Sequence, residues 1–258
     1  MNGLLLPDVT LCSASSVNVA ATISAMQHCL DRMAFADAVL FTDVAPVALD
    51  HRIRWVRIER LHSAADYSRF MLGEVGQHVA SSHCLIVQWD GFVIDPQAWD
   101  PRFLEFDYIG AVWPQFEEHR VGNGGFSLRS RKLLQVLADP AFADSHPEDL
   151  AICRSARPWL EQRHGIRFAD PETAARFSYE RERAKGATFG FHGAFNLPTA
   201  VGADAFWTIY RTLDHRGPVF HDARALVGRL FKGPYGTVRV LRFLLDGLRD
   251  WLAARLGP

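Results

Sequence analysis

Short apolar runs that alternate with helical patterns constrain this chain more than any other feature. Four runs have the length and composition of buried strands, at Val9–Ser13, Ala38–Phe41, Ile53–Ile58 and Cys84–Gln88. Apolar residues at helical spacing mark two of the segments between them, Val19–Met33 and Asp66–Val79. Strands that alternate with helices predict an α/β fold with a mostly parallel central sheet flanked by helices.

Length and charge limit the number of domains and the class of partner. The chain has 258 residues, of which 48% are hydrophobic, enough for one sizeable core plus an appendage. A net charge of −1 gives no reason to expect a nucleic-acid partner. From His221 onward, however, the chain contains seven Lys/Arg and only three Asp/Glu. We therefore predict one domain over residues 1–220 and a basic amphipathic helical tail over 221–258.

Cysteines and apolar segments bear on the compartment. Four cysteines occur without a C-x-x-C pair or a zinc-like cluster, at Cys12, Cys29, Cys84 and Cys153. Reduced thiols in a core fit a cytoplasmic protein. The apolar start Met1–Leu6 is too short for a signal peptide, and no apolar run reaches the roughly 18 residues of a spanning helix. We expect a cytoplasmic location, with peripheral contact to the inner membrane face left open.

The stretch LIVQWDGFVI places one carboxylate, Asp90, between two apolar halves of a predicted strand. Asp43 similarly follows the predicted strand Ala38–Phe41. Ligands of open α/β sheets bind beyond the carboxyl ends of the strands, so both residues are expected near a site. Gly91 would let a backbone or a ligand approach closely. The alternative for Asp90 is an Asx-type turn that closes the strand.

Several common nucleotide and hydrolase motifs are absent from the sequence. No G-x-G-x-x-G follows the first predicted strand, and no G-x-x-x-x-G-K-[ST] occurs. GNGGFS begins like a dinucleotide loop but lacks its last glycine. No G-x-S-x-G elbow is present either. These absences argue against nicotinamide, P-loop and serine hydrolase chemistry.

Six strings carry a resemblance to a known family: DYSRFML, QWDGFV, DYIGAVW, GNGGFSLRS, EDLAIC and FGFHG. From about Val9 to about Asn196 the chain resembles a bacterial family of unknown function with glycosyltransferase character. The order of its candidate residues is also similar to GT-A glycosyltransferases, in particular the Fringe-like and β-galactosyltransferase group. The resemblance implies a GT-A-like domain, a nucleotide-sugar donor with UDP-sugars expected first, and a glycan or lipid-linked acceptor.

The resemblance implies that Asp90 and His192 hold Mn²⁺ or Mg²⁺, because hard oxygen ligands and a histidine suit these ions. In Fringe-like enzymes a run of aspartates ends a strand at this point. Here the run is Gln88-Trp89-Asp90, with only the last aspartate present. A metal held through water and phosphate oxygens and a metal-independent enzyme both stay open. A structural role is the alternative for His192.

The pair Glu148-Asp149 supplies the candidate base. An inverting transferase needs a carboxylate that takes the proton of the acceptor hydroxyl. Ser145-x-x-Glu148 also forms a capping-box pattern, in which Glu148 would bond the backbone amide of the cap. We therefore assign Asp149 as base, with Glu148 as the second catalytic candidate. The alternative for Asp149 is a helix-dipole partner in a first turn.

The predicted donor-binding residues include Ser13, Ser15 and Asp43, because they follow the first two predicted strands. The others are Tyr67, Ser68, Trp89, Asp90, Asn123, Gly124 and Gly125. Trp89 has core packing as its alternative role. A plain hairpin turn is the alternative for Gly124-Gly125. Tyr67 and Ser68 follow Asp66 at a predicted helix start, where Asp66 is the expected N-cap.

Two other functions and three roles for the tail stay open at this point. The incomplete aspartate run also fits a non-catalytic sugar-nucleotide or glycan-binding module, and Asp90 with His192 fits a metal-assisted hydrolase. Leucines and arginines interleave in the tail at helical spacing. Such a helix can dock on an anionic membrane surface, pack on its own domain or pair with a second subunit.

Overall fold

The computed structural model describes residues 3–142 and 146–256 of the chain. It divides into two compact units, Met1–His192 and Gly193–Pro258. This division falls earlier in the chain than the predicted boundary at residue 220. Each unit is described by itself.

The first unit contains a central six-stranded sheet with two small two-stranded sheets. Its strands are β1 Leu4–Ala14, β2 Met33–Thr42, β3 Arg54–Arg57, β4 His83–Ile86, β5 Tyr108–Ile109, β6 Ala111–Val112, β7 Val121–Gly122, β8 Ser127–Ser130, β9 Ser178–Tyr179 and β10 Gly190–Phe191. The central order is β3-β2-β1-β4-β8-β5. The pairs among β1 to β4 are parallel, and β8 is antiparallel to both neighbours. The predicted α/β fold with a mostly parallel sheet is confirmed.

Buried strand residues explain why these segments form the centre of the unit. Cys12, Phe41 and Ile86 lie on one sheet face and pack against Phe70 and Met71. The helices of this unit are α1 Val19–Leu30, α2 Ala64–Gly73, α3 Arg131–Leu137, α4 Glu148–Leu150, α5 Arg157–His164 and α6 Pro171–Phe177. The four cysteines are free and buried, as expected from their spacing.

Two local predictions are wrong in whole or in part. The N-cap of α2 is Ser63, whose hydroxyl accepts a hydrogen bond from the backbone N–H of Asp66, so Asp66 lies inside the first turn. In the segment Ala174–Glu180, predicted as strand or loop, Ser178–Tyr179 form β9, but Ala174–Phe177 belong to α6. Asp170 caps that helix by accepting from the backbone N–H of Thr173, and Pro171 opens it with a preset φ.

The single helix predicted over Ser145–Gly165 is also wrong, because three pieces replace it. A π-helical turn, Ala151–Ser155, separates α4 from α5. Pro158 lacks a backbone N–H and lies in the first turn of α5, where no partner is required. Gly165 ends α5 in a left-handed conformation with φ of 59°, as its position predicts. Ser145 lies outside the described residues.

The second unit is helical throughout its described residues. Its helices are α7 Leu197–Ala200, α8 Ala203–Thr212, α9 Gly217–His221, α10 Ala223–Phe231 and α11 Gly236–Leu256. Phe206, Tyr210 and Phe243 are buried, and the rings of Tyr210 and Phe243 are 5.5 Å apart between centroids. The predicted tail helix is confirmed as α11. In the part of the chain that the structure describes, no helix is both long and apolar enough to cross a bilayer.

Candidate functional site

A tight turn follows β4 at the carboxyl edge of the sheet. The backbones of Gln88 and Gly91 exchange two hydrogen bonds, of 2.8 and 3.0 Å, which places Trp89 and Asp90 at the tip. The expectation that the strand resumes over Phe92–Ile94 is wrong, because the chain reverses here. Asp90 is 8% exposed, so this carboxylate points into the protein.

His192 follows β10 and lies against two glycines. Its backbone N–H donates to the carbonyl of Tyr179 at 3.0 Å, which fixes the residue beside β9. A Cβ at Gly91 would lie 2.6 Å from His192 Cδ2, and a Cβ at Gly125 would lie 2.1 Å from Nε2. Only glycines leave room for the imidazole at these two positions. Gly91 therefore permits a close approach, as predicted, and the approaching group is His192.

Acceptors face both nitrogens of the His192 ring. Nε2 lies 3.2 Å from Gln88 Oε1 and 3.8 Å from Asp90 Oδ1, and Nδ1 lies 3.2 Å from Glu180 Oε1. Burial alone would lower the pKa of His192, but the carboxylates of Asp90 and Glu180 outweigh it and raise the pKa to about 9. The ring is therefore an imidazolium at neutral pH. Asn123 Nδ2 lies 3.0 Å from Nδ1, but as a donor beside a protonated nitrogen it bonds the Glu180 carboxylate and not the ring.

The predicted metal ligands Asp90 and His192 are brought together, but as an ion pair. A histidine coordinates a metal through a neutral nitrogen, whereas here both nitrogens face acceptors. Residues 3–142 and 146–256 contain no group of three His, Cys, Asp or Glu side chains arranged to hold a metal. As these side chains are arranged, they do not fit a Mn²⁺ or Mg²⁺ site.

The loop Asn123-Gly124-Gly125 is held by its own side chain and by a neighbouring strand. Asn123 has a φ of 85°, and its Oδ1 accepts from the N–H groups of Gly125 at 2.8 Å and Phe126 at 3.2 Å. The Tyr108 hydroxyl donates to the Asn123 carbonyl at 2.8 Å. In this Asx-type turn, both the backbone carbonyl and the side-chain Oδ1 of Asn123 accept hydrogen bonds from groups of this chain.

Arg129 and Glu148 form a buried ion pair beneath this loop. Arg129 Nη2 lies 3.0 Å from Glu148 Oε1, and the side chains are 0% and 7% exposed. Arg129 Nη2 also donates to the Gly124 carbonyl at 3.4 Å. A Cβ at Gly124 would lie 2.1 Å from Glu148 Oε1, so the carboxylate packs on the glycine.

The Glu148 carboxylate accepts from Arg129, and Ser145, the other member of the predicted capping box, lies outside the described residues. Pro147 occupies the N-cap position of α4 and gives no side-chain cap. Instead, the backbone N–H of Glu148 donates to Ser68 Oγ at 3.2 Å, and Ser68 Oγ lies 2.8 Å from His146 Nδ1. Ser68, which was predicted to bind the donor, therefore accepts the hydrogen bond of the first backbone N–H of α4.

Asp149 lies next to the ion pair and is partly exposed. Its Oδ2 accepts from the Gly124 N–H at 3.3 Å, and its Oδ1 accepts from the Leu150 N–H at 2.8 Å. Burial and the neighbouring Glu148 carboxylate raise the pKa of Asp149 above its ordinary value. This carboxylate is thus a better proton acceptor than an ordinary aspartate, and a solvent-borne group can reach it.

Tyr67 and Trp89 flank the network. The Tyr67 hydroxyl accepts from Gln88 Nε2 at 3.0 Å, so Gln88 links Tyr67 to His192. Burial, with the Glu148 carboxylate, raises the pKa of the Tyr67 phenol, which stays protonated. Trp89 is 8% exposed. Its ring therefore contributes mainly to the core.

The remaining predicted donor residues lie at the carboxyl ends of β1 and β2. Ser13 Oγ donates to the Val87 carbonyl at 2.6 Å, which ties β1 to the turn before Asp90. Ser15 Oγ bonds the Val17 carbonyl in its own loop. Asp43 lies 3.5 Å from Arg60 Nη1 and lines an open cleft with Arg57. Ser15 and Asp43 thus bond within their own part of the edge, apart from His192 and Asp149.

A family comparison covers the part of the chain that contains this network. Residues 50–192 match the family described as Protein of unknown function (DUF5672), which is more than half of the chain. The chain belongs to the DUF5672 family. The DUF5672 segment includes every residue from Tyr67 to His192 named above, but not Ser13, Ser15 or Asp43. No curated protein matches the chain.

Three solved structures are similar to this DUF5672 protein, each with 12% identity. A glycosyltransferase involved in glycosylation of the major capsid of PBCV-1 has a TM-score of 0.46, with coverage of 79% of this chain and 98% of that chain. The mannosyltransferase PcManGT from Pyrobaculum calidifontis, in complex with GDP-Man and Mn²⁺, has 0.42, with coverage of 100% and 79%. The apo-form glycosyltransferase GlyE of Streptococcus pneumoniae TIGR4 has 0.43, with coverage of 72% and 54%.

Three residues of the DUF5672 site were missed at the sequence level. Arg129 had a weak signal in its position directly after the apolar Leu128, since a charged side chain needs a partner if it is buried. Gln88 had a weaker signal, because it occupies a position where Fringe-like enzymes have an aspartate. Glu180 had none, because its segment was predicted as strand or loop and nothing in the pattern aims it at His192.

Proposed function

We propose that this DUF5672 protein is a glycosyltransferase that moves a sugar from a nucleotide-sugar donor to a glycan or lipid-linked acceptor. The observation that carries the proposal is Asp149, a partly exposed carboxylate with a raised pKa beside the Gly124 loop. Its place at a helix start after a glycine loop is the place that the motif resemblance gives to a base. The catalytic domain we propose spans residues 1–220.

In the reaction we propose, Asp149 acts as general base. The acceptor hydroxyl gives its proton to Asp149 while its oxygen bonds the anomeric carbon of the donor sugar. The bond from that carbon to the diphosphate oxygen breaks, and the nucleoside diphosphate leaves with the electron pair. A direct displacement of this kind inverts the anomeric centre.

The neighbouring Glu148 takes a different role in this proposal. Its carboxylate is 7% exposed and is engaged by Arg129, so it is poorly placed to meet an acceptor. Its negative charge instead helps to raise the pKa of Asp149. Two adjacent carboxylates with different environments thus divide into a proton acceptor and a buried structural partner.

The donor would lie along the carboxyl edge of the sheet. We place the sugar over Gly124 and Gly125, and the nucleotide towards Ser15 and Asp43 at the ends of β1 and β2. UDP-sugars are the first donor class to test. No step is assigned to a metal ion, because Asp90 and His192 neutralise each other. We propose a cytoplasmic location for the reaction.

Nucleotide-sugar screening tests the proposal directly. Thermal shifts with UDP- and GDP-sugars, with and without Mn²⁺, identify the donor, and release of nucleoside diphosphate with added acceptors measures transfer. We expect acceptor-dependent release that Asp149→Asn abolishes. The matched control is Asp31→Asn, a carboxylate that is 61% exposed after α1. Donor binding without release toward any acceptor would indicate a binding module, and acceptor-independent release of sugar or phosphate a hydrolase.

A further inference from the structure

Helix α11 has its polar and apolar faces reversed relative to an ordinary surface helix. Its inner face carries Arg239, Phe243 and Asp246, all less than 9% exposed. Arg239 Nη2 lies 2.6 Å from Asp204 Oδ1, and the Tyr210 hydroxyl donates to Asp246 Oδ2 at 3.2 Å. Ion pairs and hydrogen bonds therefore anchor this helix to α8 within the second unit.

The outer face of α11 is apolar and faces solvent. It consists of seven large side chains that are each 41 to 67% exposed: Val238, Leu241, Leu244, Leu245, Leu248, Trp251 and Leu252. Their spacing of three and four residues forms one continuous stripe along the helix. A stripe of this size exceeds the scattered apolar residues of an ordinary surface, which indicates that it is covered by a partner.

Charge identifies the partner. The exposed charges of α11 are Arg242, Arg249 and Arg255, and the first two are 62% and 72% exposed. Of the two acidic residues of the helix, Asp246 is buried and pairs with Arg242, whereas Asp250 is 35% exposed and lies 3.5 Å from Arg216 and 3.9 Å from Arg249. Between residues 193 and 258, nine Lys/Arg stand against five Asp/Glu.

These charges argue against a second copy of the chain as the partner. Two copies that met through the outer face would bring the exposed arginines of both helices together, with the partly exposed Asp250 as the one acidic residue of each α11 able to offset them. An anionic lipid surface, by contrast, complements both the arginines and the apolar stripe. Trp251 suits the boundary between headgroups and acyl chains, and Arg255 Cζ lies 4.0 Å from the centre of its ring.

We propose that the outer face of α11 docks on an anionic bilayer, with the helix lying in the plane of the interface. The leucines would enter the acyl boundary while Arg242 and Arg249 contact lipid phosphates. The proposal is independent of the catalytic proposal above, because it uses the second unit alone and no residue of the candidate site.

Vesicle co-sedimentation of the full chain tests this docking. The probes are sucrose-loaded vesicles of phosphatidylcholine alone and of phosphatidylcholine with about a third phosphatidylglycerol. We expect binding to the anionic vesicles to exceed binding to the neutral ones by at least about tenfold, and to weaken as salt is added. Light scattering in the absence of lipid should give the mass of a monomer.

Paired variants separate the apolar and the charged contributions. Leu245→Gln/Leu248→Gln should lower the affinity for anionic vesicles at least about tenfold. Leu5→Gln/Val47→Gln, which changes two apolar residues of the first unit that are more exposed than Leu245 and Leu248, should leave this affinity unchanged. Arg242→Gln/Arg249→Gln should remove most of the salt dependence, whereas Arg102→Gln/Lys185→Gln should retain it.

Two results would overturn the proposal. One is equal pelleting of the wild type and Leu245→Gln/Leu248→Gln with anionic vesicles. The other is a wild-type dimer in solution that Leu245→Gln/Leu248→Gln converts to a monomer, which would assign the outer face to a second copy. All four residues of these helix variants are exposed, and circular dichroism confirms that each variant folds.

Discussion

Arg129 and Glu148 pair inside the protein, with Nη2 3.0 Å from Oε1, and both contact Gly124. The guanidinium donates to the Gly124 carbonyl, and the Gly124 N–H donates to Asp149. The backbone of one residue, Gly124, thus connects the buried pair to the proposed base. The pair fixes the loop, and the loop positions Asp149.

Replacing Arg129 by Met should destabilise the fold strongly. The change leaves the Glu148 carboxylate buried without its partner, which typically costs about 3–5 kcal/mol in free energy of unfolding. Urea denaturation measures this loss. The double variant Arg129→Met/Glu148→Leu should recover part of it, because no charge then stays buried. A single variant within about 1 kcal/mol of wild type, or a double variant with fully additive losses, would contradict this role.

Because His192 is protonated in the folded state, the protein should lose stability as the pH becomes alkaline. Its pKa of about 9 in the fold lies above the ordinary value of about 6.5, so protonation stabilises the folded state. This stabilisation is complete below about pH 6.5 and is lost as the pH rises through about 9. The difference in free energy of unfolding between wild type and His192→Gln should narrow by on the order of 3 kcal/mol between about pH 6 and about pH 10. A constant gap, or an NMR midpoint near 6.5, would show that Asp90 and Glu180 do not hold the charge.

Gly125 should not tolerate a methyl group. An alanine Cβ would lie 2.1 Å from His192 Nε2, and the ring has glycine on its other side as well. Overpacking of this kind costs about 1–3 kcal/mol, and the displaced ring should lose its raised pKa. Gly186→Ala is the matched control, since nothing lies within 4 Å of its Cβ position. Equal stabilities of the two variants, with an unchanged His192 titration, would count against the packing described.

Asp149→Asn should not reduce stability at neutral pH. Burial and Glu148 raise the pKa of Asp149, so its ionised form destabilises the folded state relative to the unfolded chain. This loss in free energy of unfolding is complete above the pKa of Asp149 in the folded state. It disappears as the pH falls below the ordinary carboxyl pKa of about 4. The variant should therefore be at least as stable as wild type at about pH 7, with the difference vanishing in acid. A variant that is clearly less stable at about pH 7 would indicate a structural role.

Much of the fold follows from local patterns in the sequence. The first strands and α1, α2 and α11 have strong periodicity, and the structure has an element of the predicted type at each place, although β1 and β2 begin earlier than predicted and α2 ends at Gly73 rather than Val79. Local patterns failed where two interpretations were possible. Ser63 and Asp66 both suit an N-cap, and the structure uses Ser63. Periodicity predicted one continuous helix, but Pro158 begins a new one. The reversed polarity of α11 was also hidden, because periodicity does not say which face points inward.

Side-chain partners were the least predictable part of the site. The family resemblance paired Asp90 with His192 as metal ligands, and the two lie 3.8 Å apart, but it could not show that Glu180 and Gln88 would face the ring nitrogens. Glu148 fitted a capping box equally well until Arg129 was located opposite it. Long-range pairs of this kind depend on how distant segments pack, which no local spacing encodes.

The most direct measurement is the turnover and donor affinity of Asp149→Asn, once the donor is identified. Because the carboxylate is proposed to act on the acceptor proton, kcat should fall by roughly 10²- to 10⁴-fold. The donor Kd, measured by calorimetry, should stay within about twofold, since Asp149 is not proposed to hold the donor. Asp149→Asn with wild-type turnover, or with lost donor binding and unchanged kcat, would contradict the assignment of Asp149 as base.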